Sequence, residues 1–158
     1  MIQRVQTLFL TGVVAITVVL FFYPIASFLS DFYYLKLYVY DLKSMTPDTE
    51  PIFSEYYVIP LLALHVAVGL ISLITIFLYK RRMVQVRLVR FSFLLEIVFI
   101  ALIFFYYIPQ IEEQLDVVAD YSGSVGAYLP LGSMLFLLLA NRFIMRDEKL
   151  IRSADRLR

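Results

Sequence analysis

The sequence predicts an all-α membrane protein, a bundle of four transmembrane helices with both termini in the cytoplasm. Three observations carry that expectation. Of the 158 residues, 61% are hydrophobic, whereas a soluble domain is typically about 45–50% apolar. Four stretches approach the roughly 20 apolar residues a helix needs to cross about 30 Å of hydrocarbon. The basic residues are segregated, with 12 of the 14 Lys and Arg on one side of those stretches.

The spans follow in order. The first runs from about Val5 to Tyr23 and ends near Pro24. Its apolar stretch exceeds the usual 7–15 residues of a signal-peptide core, and the aromatic segment after it is no small-residue cleavage site, so it reads as retained. The second runs from about Tyr57 to Tyr79, with Pro60 in the first turn, where a missing N–H costs little. The third covers about Leu88 to Ile108 and stops at Pro109. The fourth covers about Val125 to Met145, with Pro130 kinking it or marking its true start.

Charge sets the orientation. Arg4 precedes span one; Lys80, Arg81, Arg82, Arg87 and Arg90 lie around the 80–87 loop; Arg142, Arg146, Lys149, Arg152, Arg156 and Arg158 close the chain. Lys36 and Lys43 alone lie opposite, among nine acids. Lys and Arg concentrate in cytoplasmic loops, which places both ends inside. With no Trp, an interfacial aromatic belt has to be built from the 12 Tyr and 14 Phe.

The outer loops span about 24–56 and 109–124. In the first, Tyr34 to Tyr40 alternates bulky aliphatic with Tyr or Lys, a strand pattern. A lone strand is unstable, so it needs a partner in the same loop, in the second outer loop or on another chain. In the tail, Leu150, Ala154 and Leu157 recur at helical spacing, predicting a short amphipathic helix on the inner leaflet or on a partner. Thr7, Thr11 and Ala15 on span one, and Ala63 and Ala67 on span two, form small-residue faces. Such faces let helices approach closely, and packing within the bundle is expected ahead of a contact with another subunit.

Two ionisable residues fall inside spans, where charge is expensive: His65 and Glu96. With Lys80 and Arg90 as borders, they lie roughly 22 Å and 9 Å from the inner face. That offset of about 13 Å is too large for a hydrogen bond, so they are expected to act separately. On the same scale Glu96 is level with Thr11 and Thr75, whose hydroxyls would hold a protonated carboxyl; a proton-coupling acid is the alternative. His65 is expected as a neutral imidazole bonded to a phenol or carbonyl.

Absences bound the chemistry. Without Cys there are no disulfides, Fe–S clusters or thiol catalysis. One His cannot ligate a haem from both sides, and H-E-x-x-H is missing. No catalytic constellation, cofactor or metal site is expected, and no nucleic-acid partner.

Beyond these patterns, Met1-Ile-Gln-Arg4, the Ile76-Phe-Leu-Tyr-Lys80 and Gln85-Val-Arg-Leu88 segments, and the charged ending Asp147 to Arg158 resemble a domain-of-unknown-function family of four-span inner-membrane proteins found in Bacteroidota. The resemblance covers essentially the whole chain and implies a bacterial inner membrane, but no activity, cofactor or catalytic residue. The expected function is a small non-enzymatic accessory or scaffolding subunit of a membrane complex. Its contacts would run through Arg81, Arg82, Arg87, Arg90, Arg152, Arg156 and Arg158, with lipid, membrane-protein partners or further copies of itself. The alternatives are a small oligomeric proton-coupled transporter using Glu96, and an envelope sensor using the Tyr-rich loop.

Overall fold

The computed structural model describes residues 3–29, 34–46, 53, 54, 56–79, 81–121 and 124–155, with the backbone alone considered at 3, 4 and 151–155. Along the chain come α1 (Gln3–Leu20), strands β1 (Ala26–Leu29), β2 (Tyr34–Leu37) and β3 (Leu42–Ser44), α2 (Ile59–Phe77) and α3 (Arg82–Leu102). A π turn, Ile103–Tyr107, leads into α4 (Ile108–Leu115), followed by β4 (Ala119–Asp120), a 3-10 turn at Val125–Ala127 and α5 (Leu129–Asp155).

The four long helices are built on one spacing. α1 buries Gln6, Leu10, Val13, Thr17 and Leu20; α2 buries Leu61, His65, Val68, Ser72 and Thr75; α5 buries Ser133, Leu137, Ala140, Ile144 and Asp147. Steps of three and four alternate, the 3.5-residue stripe that seats side chains of near-antiparallel helices between one another. α1 packs on α5 and α2, and α3 packs on the same two. Among the described residues three helical segments are long and apolar enough to cross a membrane: Ile59–Phe77, Arg82–Leu115 and Val125–Leu150; Val5–Leu20 is a shorter apolar helix. Only 28% to 33% of each apolar stretch is buried inside the protein. The remaining apolar surface needs a non-aqueous cover.

One end is closed by a four-stranded antiparallel sheet of order β3-β2-β1-β4. The expected strand, β2, finds both its partners in its own loop, β1 on one side and β3 on the other, and β1 in turn pairs β4 from the connection that follows α4. It is shorter than expected, ending at Leu37, where Tyr38 N–H donates to the Asp41 carbonyl at 2.8 Å and the chain turns into β3. Phe28, Leu35 and Leu37 face inward and merge with Leu20, Leu61, Phe99, Ile103 and Ile111 in one cluster. A second cluster, around Leu10, Val13, Val68, Val89 and Leu137, fills the other half. The sheet also explains a misfit: Lys36 and Lys43 sit directly opposite across β2 and β3. Like charges there repel, but each ammonium lies over tyrosine, Lys36 over Tyr34 at 5.3 Å and Lys43 over Tyr40 at 5.0 Å.

Several boundaries differ from the sequence expectation. α1 stops at Leu20, three residues before Tyr23. α3 begins at Arg82 rather than Leu88, and the helix does not stop at Pro109. The π turn immediately before Pro109 widens the register, with Ile108 N–H bonded to Ile103 O, which relieves the clash of the proline ring with the preceding turn. The result is a continuous 34-residue helical segment, about 51 Å long and well beyond the apolar thickness. Pro130 marks the start of α5, and α5 continues unbroken to Asp155 where a separate tail helix was expected.

Candidate functional site

On every long helix the buried stripe changes from apolar to polar at one level, between the two clusters. α1 supplies Thr17 between Val13 and Leu20, and α2 supplies His65 between Leu61 and Val68. α3 supplies Ser92 and Glu96 between Val89 and Phe99, and α5 supplies Ser133 beside Leu137. His65 is 3% exposed and Glu96 2%. This polar seam is the strongest candidate site in the chain.

Each of its two ionisable groups has a distinct task. α1 loses its register at its end: Phe21 N–H bonds Val18 O and Phe22 N–H bonds Val19 O, so the Thr17 carbonyl is passed over. Helix ends leave such carbonyls orphaned. His65 Nε2 meets this one at 3.0 Å, and a carbonyl only accepts, so Nε2 carries the proton. Of the two expected partners, a phenol or a carbonyl, the ring meets the carbonyl, and it is clamped between Phe99 (5.2 Å, stacked) and Phe21 (5.6 Å, tilted). Nδ1 has no partner among the described residues. Glu96 shares a hydrogen bond with the Ser133 hydroxyl, tying α3 to α5.

The expected depths are corrected here. Gln85 Nε2 donates to Thr75 O at 2.9 Å, so Thr75 is level with Gln85. Glu96 lies eleven residues further along α3, about 16 Å towards the sheet end. Thr75 instead donates its hydroxyl to Ile71 O, and Thr11 is exposed, so neither holds Glu96. His65 stacks on Phe99, one turn beyond Glu96, which brings the two ionisable groups to within about 5 Å of a common level rather than 13 Å apart. Depth counted from Arg90 falls short because α3 starts eight residues earlier, at Arg82. They still act separately, one on α1 and the other on α5. Thr11 and Ala15, expected on a packing face, both point outward.

Thr17, Ser133 and Gln85 were missed by sequence reasoning. The signal is present in the heptad spacing of Ser133 to Leu137 and of Gln85 to Val89, Ser92 and Glu96, but the cations around Gln85 give its segment the hydropathy of a loop. A second polar level, with Gln6, Thr75, Gln85 and Asp147, closes the arginine-rich end of the packed helices.

At that end Arg81, Arg87 and Arg90 are exposed and Arg82 is half-buried. Arg90 Nη2 lies 3.4 Å from Met145 Sδ. The side chain of Arg152, and Arg156 and Arg158 altogether, lie outside the described residues. Among the described residues no three metal-ligating side chains gather.

These features define a class: a mostly helical protein, three of whose helical segments can cross a membrane, tied internally by polar contacts and closed at one end by a small sheet. More particularly, the family model described as Domain of unknown function (DUF4293) matches residues 2–157, and the chain belongs to that family. No curated protein and no solved structure matches it.

Proposed function

We propose that this is a four-span protein of a bacterial inner membrane, with both termini in the cytoplasm, serving as a non-enzymatic accessory or scaffolding subunit. The fourth span is α1, whose 18 residues reach about 27 Å. Two rings of side chains support the placement. Tyr23, Tyr56, Tyr106 and Tyr128, at the sheet end of the four long helices, are all exposed. Arg81, Arg87, Arg90, Arg142 and Arg146 are exposed at the other end. Along the helices the rings are roughly 21–38 Å apart, bracketing the hydrocarbon thickness of about 30 Å. Tyrosine suits the headgroup level, and arginine the cytoplasmic side.

The observation that carries the subunit role is the use made of the buried polar groups. His65 completes α1, Gln85 adds a donor to the last turn of α2, and Glu96 joins α3 to α5. These are joints between helices, and they leave the contact-making surfaces on the outside: the sheet end, the arginine end and the small-residue face of α1. The experiment is purification in gentle detergent with quantitative identification of co-purifying chains. A stoichiometric partner lost on truncation at Arg152 supports this role. A protein that purifies alone, at native abundance, overturns it.

One observation favours a second reading, proton-coupled transport. The seam holds buried atoms with no described partner, His65 Nδ1 and Ser92 Oγ, beside the Glu96 level. Under that reading Glu96→Gln abolishes coupled flux; under the subunit reading it leaves a folded protein and an unaffected cell, because an amide still bonds Ser133.

A further inference from the structure

We propose that a groove between α3 and α5 at the arginine end binds the phosphate of an anionic phospholipid of the cytoplasmic leaflet. This rests on the membrane placement above but not on the subunit role. The groove encloses about 310 Å³ and is lined by Met83, Val86, Arg87 and Arg90 from α3 and by Met145, Glu148 and Lys149 from α5.

Charge and shape together select the occupant. Arg87, Arg90 and Lys149 bring three cations and Glu148 one acid, a net charge of +2. Arg87 and Arg90 are three residues apart, so their side chains share one face of α3, and guanidinium forks match phosphate oxygens in pairs. The floor beneath is Met83, Val86 and Met145, carbon and sulfur with little to offer a free ion or an acidic peptide but matched to a lipid's glyceryl and first acyl carbons. The apolar surface continues in the right direction. Phe91 and Leu94, one turn beyond Arg87 and Arg90, are exposed, as is Leu138, two turns from Met145. A lipid whose phosphate sits between the cations can therefore lay its chains along the same seam. Basic pockets between helices on the cytoplasmic side are a recurring way to hold anionic headgroups.

The test is native mass spectrometry and thermal denaturation of the full chain in detergent, with phosphatidylglycerol or phosphatidylcholine added. Phosphatidylglycerol should remain bound through delipidation and raise the melting temperature, with phosphatidylcholine doing neither. Arg87→Gln with Arg90→Gln should weaken retention about thirtyfold at low salt. Arg142→Gln with Arg146→Gln, removing the same charge at the same end outside the groove, should weaken it several-fold less. Glu148→Gln should strengthen it. The proposal is overturned by equal retention of the two lipids, by equal loss in the two double variants, or by glycerol phosphate stabilising the protein as well as the lipid does. A chain that stays monodisperse without detergent would overturn the membrane placement as well.

Discussion

At the level of single residues, the His65 contact shows how one side chain can finish a neighbouring helix. The Thr17 carbonyl takes the His65 N–H, and the imidazole itself is buried between the rings of Phe21 and Phe99. His65→Leu keeps the packing volume close but removes the N–H, so it should destabilise by about 1 kcal/mol, within the range of interhelical hydrogen bonds in membranes. Titration of reconstituted protein with SDS, followed by far-ultraviolet circular dichroism, reads that loss. Gly69 lies on the same helix crossing, and a Cβ placed there would sit 2.7 Å from the Thr17 methyl. Gly69→Val therefore has to push α1 aside, at a cost of about 1–3 kcal/mol, and takes the His65 bond with it. Adding His65→Leu to Gly69→Val should then cost much less than His65→Leu costs alone. Full additivity would show that the two sites are uncoupled.

At the level of elements, the α4–β4 connection is where local chemistry decides the sheet. Asp116 ends α4 with φ of 51°, the left-handed region, and the Glu112 carboxylate accepts the Ala119 N–H at 2.8 Å, holding β4 against β1. Asp tolerates that conformation and a β-branched residue does not. Asp116→Val should destabilise the sheet end by about 1–2 kcal/mol, while Asp116→Gly should stay within about 0.5 kcal/mol of the parent. Amide exchange at Ala119 and Asp120 reports both. Tyr121 follows directly. Burial, and then the Glu112 charge, hold its phenol above the ordinary value of 10.0. The folded form therefore keeps this proton longer than the unfolded one. Its contribution is complete below pH 10 and fades as pH climbs through the raised value. The tyrosinate absorbance of the parent minus that of Tyr121→Phe should titrate above pH 10, and Glu112→Gln should move it partway back. Elements also show what the sequence concealed. Tyr34 to Leu37 was readable because alternation is a local signal. Three-residue β3 and two-residue β4 carry no pattern of their own and exist only because β2 and β1 template them. The helix through Pro109 was hidden because proline normally breaks a helix, and a π turn that accommodates it leaves no mark in hydropathy.

At the level of the whole molecule, the long apolar stretches and the charge asymmetry were legible because both are summed over many residues. Site geometry was not, because it depends on where a helix begins: counting from Arg82, the first residue of α3, rather than from Arg90 moves Glu96 by about 12 Å. The charge asymmetry makes the largest claim, since every statement about inner and outer surfaces follows from it. Reporter fusions decide it. A phosphatase joined after Ser44 or after Asp120 should be exported and active, because both points lie on the sheet end. A fluorescent protein joined after Arg81 or after Asp155 should fold inside the cell and fluoresce. The sheet requires the first pair to agree, since β4 cannot pair with β1 from the opposite side of a membrane. If the fusions after Ser44 and Asp120 disagree, one of α2 and α3, the two helices between those points, does not cross, and the four-span proposal fails whichever way the rest point. If they agree but on the cytoplasmic side, the spans stand and the orientation inverts, which would turn the Arg87–Arg90 groove to the outer leaflet. The two failures are separable, and expected activity at all four points leaves one arrangement: tyrosines at the outer headgroups, arginines at the inner ones, and the sheet outside.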